Sequence, residues 1–108
     1  METTEKIIME SPYKDELTDI LAYVDDLLEQ EEIQPNETQR MVLTNHLNEM
    51  IKRAKESELI PSVDKTMFAE VSKESLKIAK KLVEKIGNLP EDEIYILSIH
   101  FESAKQGS

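Results

Sequence analysis

The chain has 108 residues, no cysteine, and 23 acidic against 13 basic side chains, for a formal charge of −10. That length makes one domain with a single modest core, and the missing thiols exclude a disulfide framework, a zinc-thiolate site and a cysteine nucleophile, as suits a reducing cytosol. The negative field repels a phosphate backbone, which argues against direct nucleic-acid binding, and no apolar run approaches the roughly 20 residues of a bilayer span.

The opening "METTEKIIMES" carries only a short apolar patch between charges, so it does not read as a signal peptide. Residues 1–11 are expected to form an N-terminal extension of a soluble cytoplasmic protein. From Tyr13 to about Gln30, Leu17, Ile20, Leu21, Val24, Leu27 and Leu28 recur at helical spacing and make an apolar stripe. Ser11 and Pro12 fit the N-cap and first position of that helix. A second helix follows Pro35, with Leu43, Leu47, Met50, Ile51 and Ala54 on one face and Arg40, Asn48, Lys52 and Lys55 away from it. His46, three residues after Leu43 and four before Met50, lies on or beside the apolar stripe.

"ESELIPSVDKTMFAEVS" breaks the pattern at Pro61 and predicts a loop with a short helix near Lys65 to Val71. Ser72 then caps a helix that turns Leu76, Ala79, Leu82, Val83 and Ile86 inward and stops at Gly87, where a left-handed residue is expected. The last segment, "NLPEDEIYILSIHFESAK", is rich in strand formers. Context favours a helix from Pro90 to Lys105: proline suits the first position, and Glu91, Asp92 and Glu93 suit the positive end of the dipole. Glu93, Leu97, His100, Phe101 and Ala104 fall along one side of a helix that is apolar most of the way round, which predicts a central element. Residues 106–108 read as a disordered tail. Lys52, Arg53 and Lys55, and Lys77, Lys80, Lys81 and Lys85, fall on polar helix sides and read as solvated faces.

Most catalytic templates fail. With glycine only at positions 87 and 107 there is no phosphate-cradling loop, and no Ser-His-Asp elbow is present. A helical di-iron site needs Glu-x-x-His pairs, but Leu43 and Leu97 stand three residues before the histidines. His46 with Glu49 is a thin metal-ligand set. No enzyme, cofactor or metal is expected. His46 and His100 remain, either as packing residues or as nucleophiles, since imidazole is the side chain whose ordinary pKa lies near neutrality.

"MVLTNHLNEMIKRA" resembles the "L-T-D-H-I" helix of the PRD, the phosphotransferase-system regulation domain, and "LPEDEIYILSIHFESA" resembles its closing "E-I-x-Y-I-x-x-H" helix. The intervening "FAEVSKESLKIAKKLVEKIGNLPEDE" is similar to the joining segment, so the likeness spans about residues 12 to 105 as a single domain. The resemblance implies an all-α, compact bundle of about five helices that dimerises and carries regulatory histidines. In the family these are phosphorylated by the histidine phosphocarrier HPr or a sugar-permease component. By motif position, His46 is the first phosphoacceptor and His100 the second. Glu93, seven residues before His100, is the expected orienting acid; Asn45 stands where the family has an acid before its first histidine. A lone domain of this kind would act through a partner such as a downstream regulator. The alternative is a helical dimerisation or adaptor module whose histidines are merely packed.

Overall fold

The two apolar stripes of residues 17–28 and 43–51 need partners, and each finds the other within a bundle of five α-helices. A computed structural model describes residues 3–106. In chain order these form α1 (Thr4–Glu10), α2 (Lys14–Gln30), α3 (Glu37–Glu56), a 3-10 turn (Lys65–Phe68), α4 (Lys73–Ile86) and α5 (Asp92–Gln106). The all-α class and the helix number agree with the sequence reading.

Residues 3–10 are not a loose extension. Thr3 caps α1 by accepting from the Lys6 amide at 3.1 Å, and Ile7 is buried in the common core. The packed unit therefore begins before residue 12. Gln106 closes α5 rather than starting a tail, and the remainder of that expected tail, residues 107–108, lies outside the described residues. Ser11 also acts differently from its expected N-cap role. Its hydroxyl accepts from the Tyr13 amide at 3.0 Å and donates to Asn48 Oδ1 at 2.6 Å, while Tyr13 occupies the cap position of α2. Two extra residues of turn thus tie the start of α2 to the middle of α3.

Polar stop signals set the ends of the helices. At the end of α2 the Ile33 amide donates to Leu28 O at 2.9 Å and the Glu32 amide to Glu29 O at 3.1 Å, a Schellman closure with Glu32 at φ 55° and Ile33 folded back into the core. Asn36 and Gln39 then make a reciprocal capping box at the start of α3. At its far end Ser57 is left-handed, and the Asn88 side-chain amide donates to Ala54 O at 2.6 Å. Ser72 caps α4 as expected. Proline is not the first residue of α5: Pro90 sits in a preceding turn, its carbonyl accepting from the Glu93 amide at 3.1 Å. The expected short helix near Lys65 to Val71 is only the four-residue 3-10 turn.

The core is drawn from all five helices, with Leu17, Val24, Leu47, Met50, Ile78, Leu82, Leu97 and Phe101 essentially inaccessible. On α4 the inward face runs through Ser75, Ile78, Ala79, Leu82 and Val83, whereas Leu76 and Ile86 are half-buried. α5 packs against α4 and α3, yet it is not enclosed: Ile99 is 48% exposed. Its apolar outer face is therefore surface, not a second core-facing side.

Gly87 has φ 77° and ψ 166°, a positive-φ but extended conformation rather than the left-handed helical one expected. A Cβ there would meet nothing within 4 Å, so the constraint is backbone strain, not space. Gly87→Ala is therefore expected to lower stability by about 1–3 kcal/mol in urea unfolding, with an unchanged helical circular-dichroism spectrum.

Candidate functional site

The seven-residue spacing of Gln39, His46 and Arg53 places them two helical turns apart on one face of α3. α5 runs antiparallel to that face and answers each in turn. The Gln39 side-chain amide donates to Ser103 O at 3.2 Å, the His46 and His100 ring centroids lie 4.7 Å apart at an interplanar angle of 33°, and Arg53 meets Glu93. The two histidines, 54 positions apart in sequence, thus form the middle rung of a three-rung polar seam.

The last rung is the strongest. Arg53 Nε donates to Glu93 Oε2 at 2.7 Å and Nη2 to Oε1 at 2.8 Å, a bidentate fork on a carboxylate whose side chain has no exposed surface. The hydrogen bonds to Glu93 push the Arg53 pKa up, against the opposing effect of burial. Arg53 lies near the C-terminus of α3 and Glu93 in the first turn of α5, so each charge sits at the helix end whose dipole favours it.

Both imidazoles are half-buried. Burial, with the nearby His100 and Arg53 adding to it, pushes the His46 pKa down to about 4. Burial also lowers that of His100. At neutral pH the pair is therefore uncharged, each ring keeping one free lone pair. His46 Nε2 is inaccessible and has no hydrogen-bond partner among the described residues.

His46, Arg53 and Glu93 line a cleft of about 470 Å³ closed on its other side by Ile60–Asp64, Met67, Phe68 and Ile96. The loop segment of that wall is held by α5 and the turn before it: Asp92 Oδ2 accepts from the Val63 amide at 3.2 Å, Phe68 packs on Tyr95 with centroids 5.8 Å apart, and Lys65 reaches Glu91 at 3.3 Å. Among the cleft-lining residues Arg53 is the one cation, set against the carboxylates of Glu93 and Asp64.

The sequence-predicted site residues are thus distributed unevenly. His46 and His100 come together. Glu93, expected to orient an imidazole, instead gives both oxygens to Arg53. Asn45 is exposed and makes no hydrogen bond to the His46 ring among the described residues. The sequence pattern puts Arg53 on a solvated basic face; the signal that could have placed it is its seven-residue spacing from His46, matched by the seven residues from Glu93 to His100. Among the described residues no group of three or more His, Cys, Asp or Glu side chains is arranged to hold a metal.

Residues 18–104 match the family model of the PRD domain. Among solved structures, a PRD-containing transcription regulator from Lactobacillus casei ATCC 334 is 44% identical, with a TM-score of 0.92 over 97% of this chain and 94% of that one. No curated protein sequence matches significantly. Among the described residues no helix is long and apolar enough to cross a membrane.

The depressed pKa of His46 has a signed consequence. Between about pH 6.5 and 4 the unfolded chain binds a proton at this residue that the folded chain does not, so stability falls as pH drops through that window. The full effect is about 3 kcal/mol at roughly 1.4 kcal/mol per unit. His46→Asn is expected to flatten the loss of urea stability between pH 6.5 and 4.5 relative to the parent chain, and imidazole NMR is expected to find His46 neutral at pH 5.

Proposed function

Because the chain belongs to the PRD domain family, which matches most of its length, we propose that it is a phosphorylation-responsive regulatory domain of the sugar phosphotransferase system, with His100 and His46 as phosphoacceptors. The observation that carries this reading is the pair of uncharged imidazoles 4.7 Å apart in a half-buried seam between two helices. An imidazole lone pair attacks the phosphorus of a donor phosphohistidine on HPr or a permease component. The new N–P bond forms as the donor's breaks, and the proton lost by the acceptor ring is taken up by the departing donor imidazole.

His100 is the better acceptor. One His46 nitrogen, Nε2, is sealed, so transfer to His46 uses Nδ1 or requires the seam between α3 and α5 to part. A phosphoryl group brings a charge of roughly −1.5 to −2 into a place built for neutral rings. That change is the regulatory signal. Beside the histidines, Val42 on α3 and Ile99 on α5 are 46% and 48% exposed. In this reading they belong to the surface on which a second copy or a downstream transcriptional regulator is gained or lost when the seam is charged. The domain works as a signal receiver, not as an enzyme.

The test is incubation with the general phosphotransferase enzyme, HPr and labelled phosphoenolpyruvate, scoring acid-labile, base-stable label. His100→Ala is expected to lose most of the label and His46→Ala a smaller part, both with parental helicity. Full label on both variants would reject these acceptors. No label on the parent chain from HPr or from a permease component would leave the adaptor reading, in which the histidines are packed.

A further inference from the structure

Arg53 has five N–H donors, and Glu93 takes two of them. It is also the one cation lining the cleft that His46 opens into, facing Glu93 and Asp64. A phosphoryl group on His46 would therefore meet two carboxylates and a single guanidinium. Lys65, on the loop wall, is already directed to Glu91 and over the Tyr95 ring. His100 is not among the cleft-lining residues, so the two histidines are unequal in their access to a cation.

From this geometry we propose that the cleft is a phosphoryl-binding pocket serving His46, in which Arg53, held in place by Glu93, donates its remaining N–H groups to the phosphoryl oxygens. Glu93 is the positioning residue: by fixing one edge of the guanidinium with two bonds it leaves the other edge preorganised for an anion. The inference rests on phosphorylation of the histidines, as proposed above, but not on which donor supplies it. It assigns the two acceptors different fates, with His46 holding a paired phosphoryl dianion and His100 an unpaired one.

The experiment separates these claims by using phosphoramidate as well as HPr. With phosphoramidate the P–N bond of the reagent breaks, the imidazole nitrogen gains the phosphoryl group, and ammonia leaves with the imidazole proton. The His100→Ala chain reports on His46 alone and the His46→Ala chain on His100 alone, each followed by 31P NMR titration. Arg53→Lys keeps the charge but loses the fork. Arg53→Gln combined with Glu93→Gln removes both charges together and so avoids a stranded buried charge. Because a guanidinium contact favours the dianion, the phosphoryl titration midpoint on His46 is expected to be roughly one unit higher in the Gln/Gln chain than in Glu93→Gln alone, which keeps Arg53, and to rise by less in Arg53→Lys, with no change on His100.

Equal midpoints on His46 with and without Arg53 would overturn the pocket. So would failure of His46 to take a phosphoryl group from either reagent in a folded His100→Ala chain. Labelling by phosphoramidate with an Arg53-dependent midpoint, but no labelling by HPr or a permease component, would reject the phosphotransferase reading and leave the pocket standing. Circular dichroism of each variant separates lost pairing from lost folding.

Discussion

The bidentate pair of Arg53 and Glu93 sets the register of the seam that holds the histidines. α3 and α5 are far apart in sequence, and apolar packing alone would tolerate sliding. A fork with two fixed donor–acceptor distances on a fully buried carboxylate does not. Removing Arg53 would leave the Glu93 carboxylate buried and alone, at a cost of about 3–5 kcal/mol. Each charge is further favoured by the dipole at its own helix end. With that rung fixed, the seven-residue steps on α3 bring His46 to His100 and Gln39 to Ser103.

α5 is fastened on its other side by a second carboxylate. Glu102 Oε1 accepts from the Ser72 amide at 3.1 Å, from the Ser72 hydroxyl at 2.8 Å and from the Ser75 hydroxyl at 2.8 Å. It thus joins the capping network at the N-terminus of α4, where a negative charge is also favoured by the dipole. The closing helix is therefore pinned toward α3 by an acid near its start and toward α4 by an acid near its end. His100 lies between these pins, where a charge added as proposed would act on the contact of α5 with both neighbours instead of fraying a free end.

The helices were legible because their signals are local. The stripe from Leu17 to Leu28, the Ser72 cap and the apolar face around Leu97 and Phe101 are readable within a few turns of one helix. What escaped was whatever depends on a partner from elsewhere in the chain. Ser11 looked like a cap because its bond to Asn48 spans 37 positions. Thr3 to Glu10 looked like an extension because seven helical residues have too little apolar surface to announce a core contact, and only the neighbouring α2 and α3 make Ile7 a core residue. On α5 the sequence offers Glu93 only the histidine of its own helix as a partner, because the guanidinium that claims it comes from α3. Sequence spacing identifies the face a side chain occupies, not the side chain that meets it.

Burial performs two opposed tasks at the histidine rung. By disfavouring imidazolium it keeps both rings uncharged near neutral pH, the form in which a nitrogen can attack phosphorus. The same low polarity makes any charge delivered there costly unless it is paired, so an acceptor site of this kind resists the product it forms. A fully exposed histidine would accept a phosphoryl group with little structural consequence, and a fully enclosed one would not accept it at all. Half-burial between two pinned helices lies between these limits. In the proposed reading, the free energy of adding a phosphoryl group there would be coupled to the packing of α3 against α5, and that coupling would let a covalent mark of a few atoms be read on the surface that carries Val42 and Ile99.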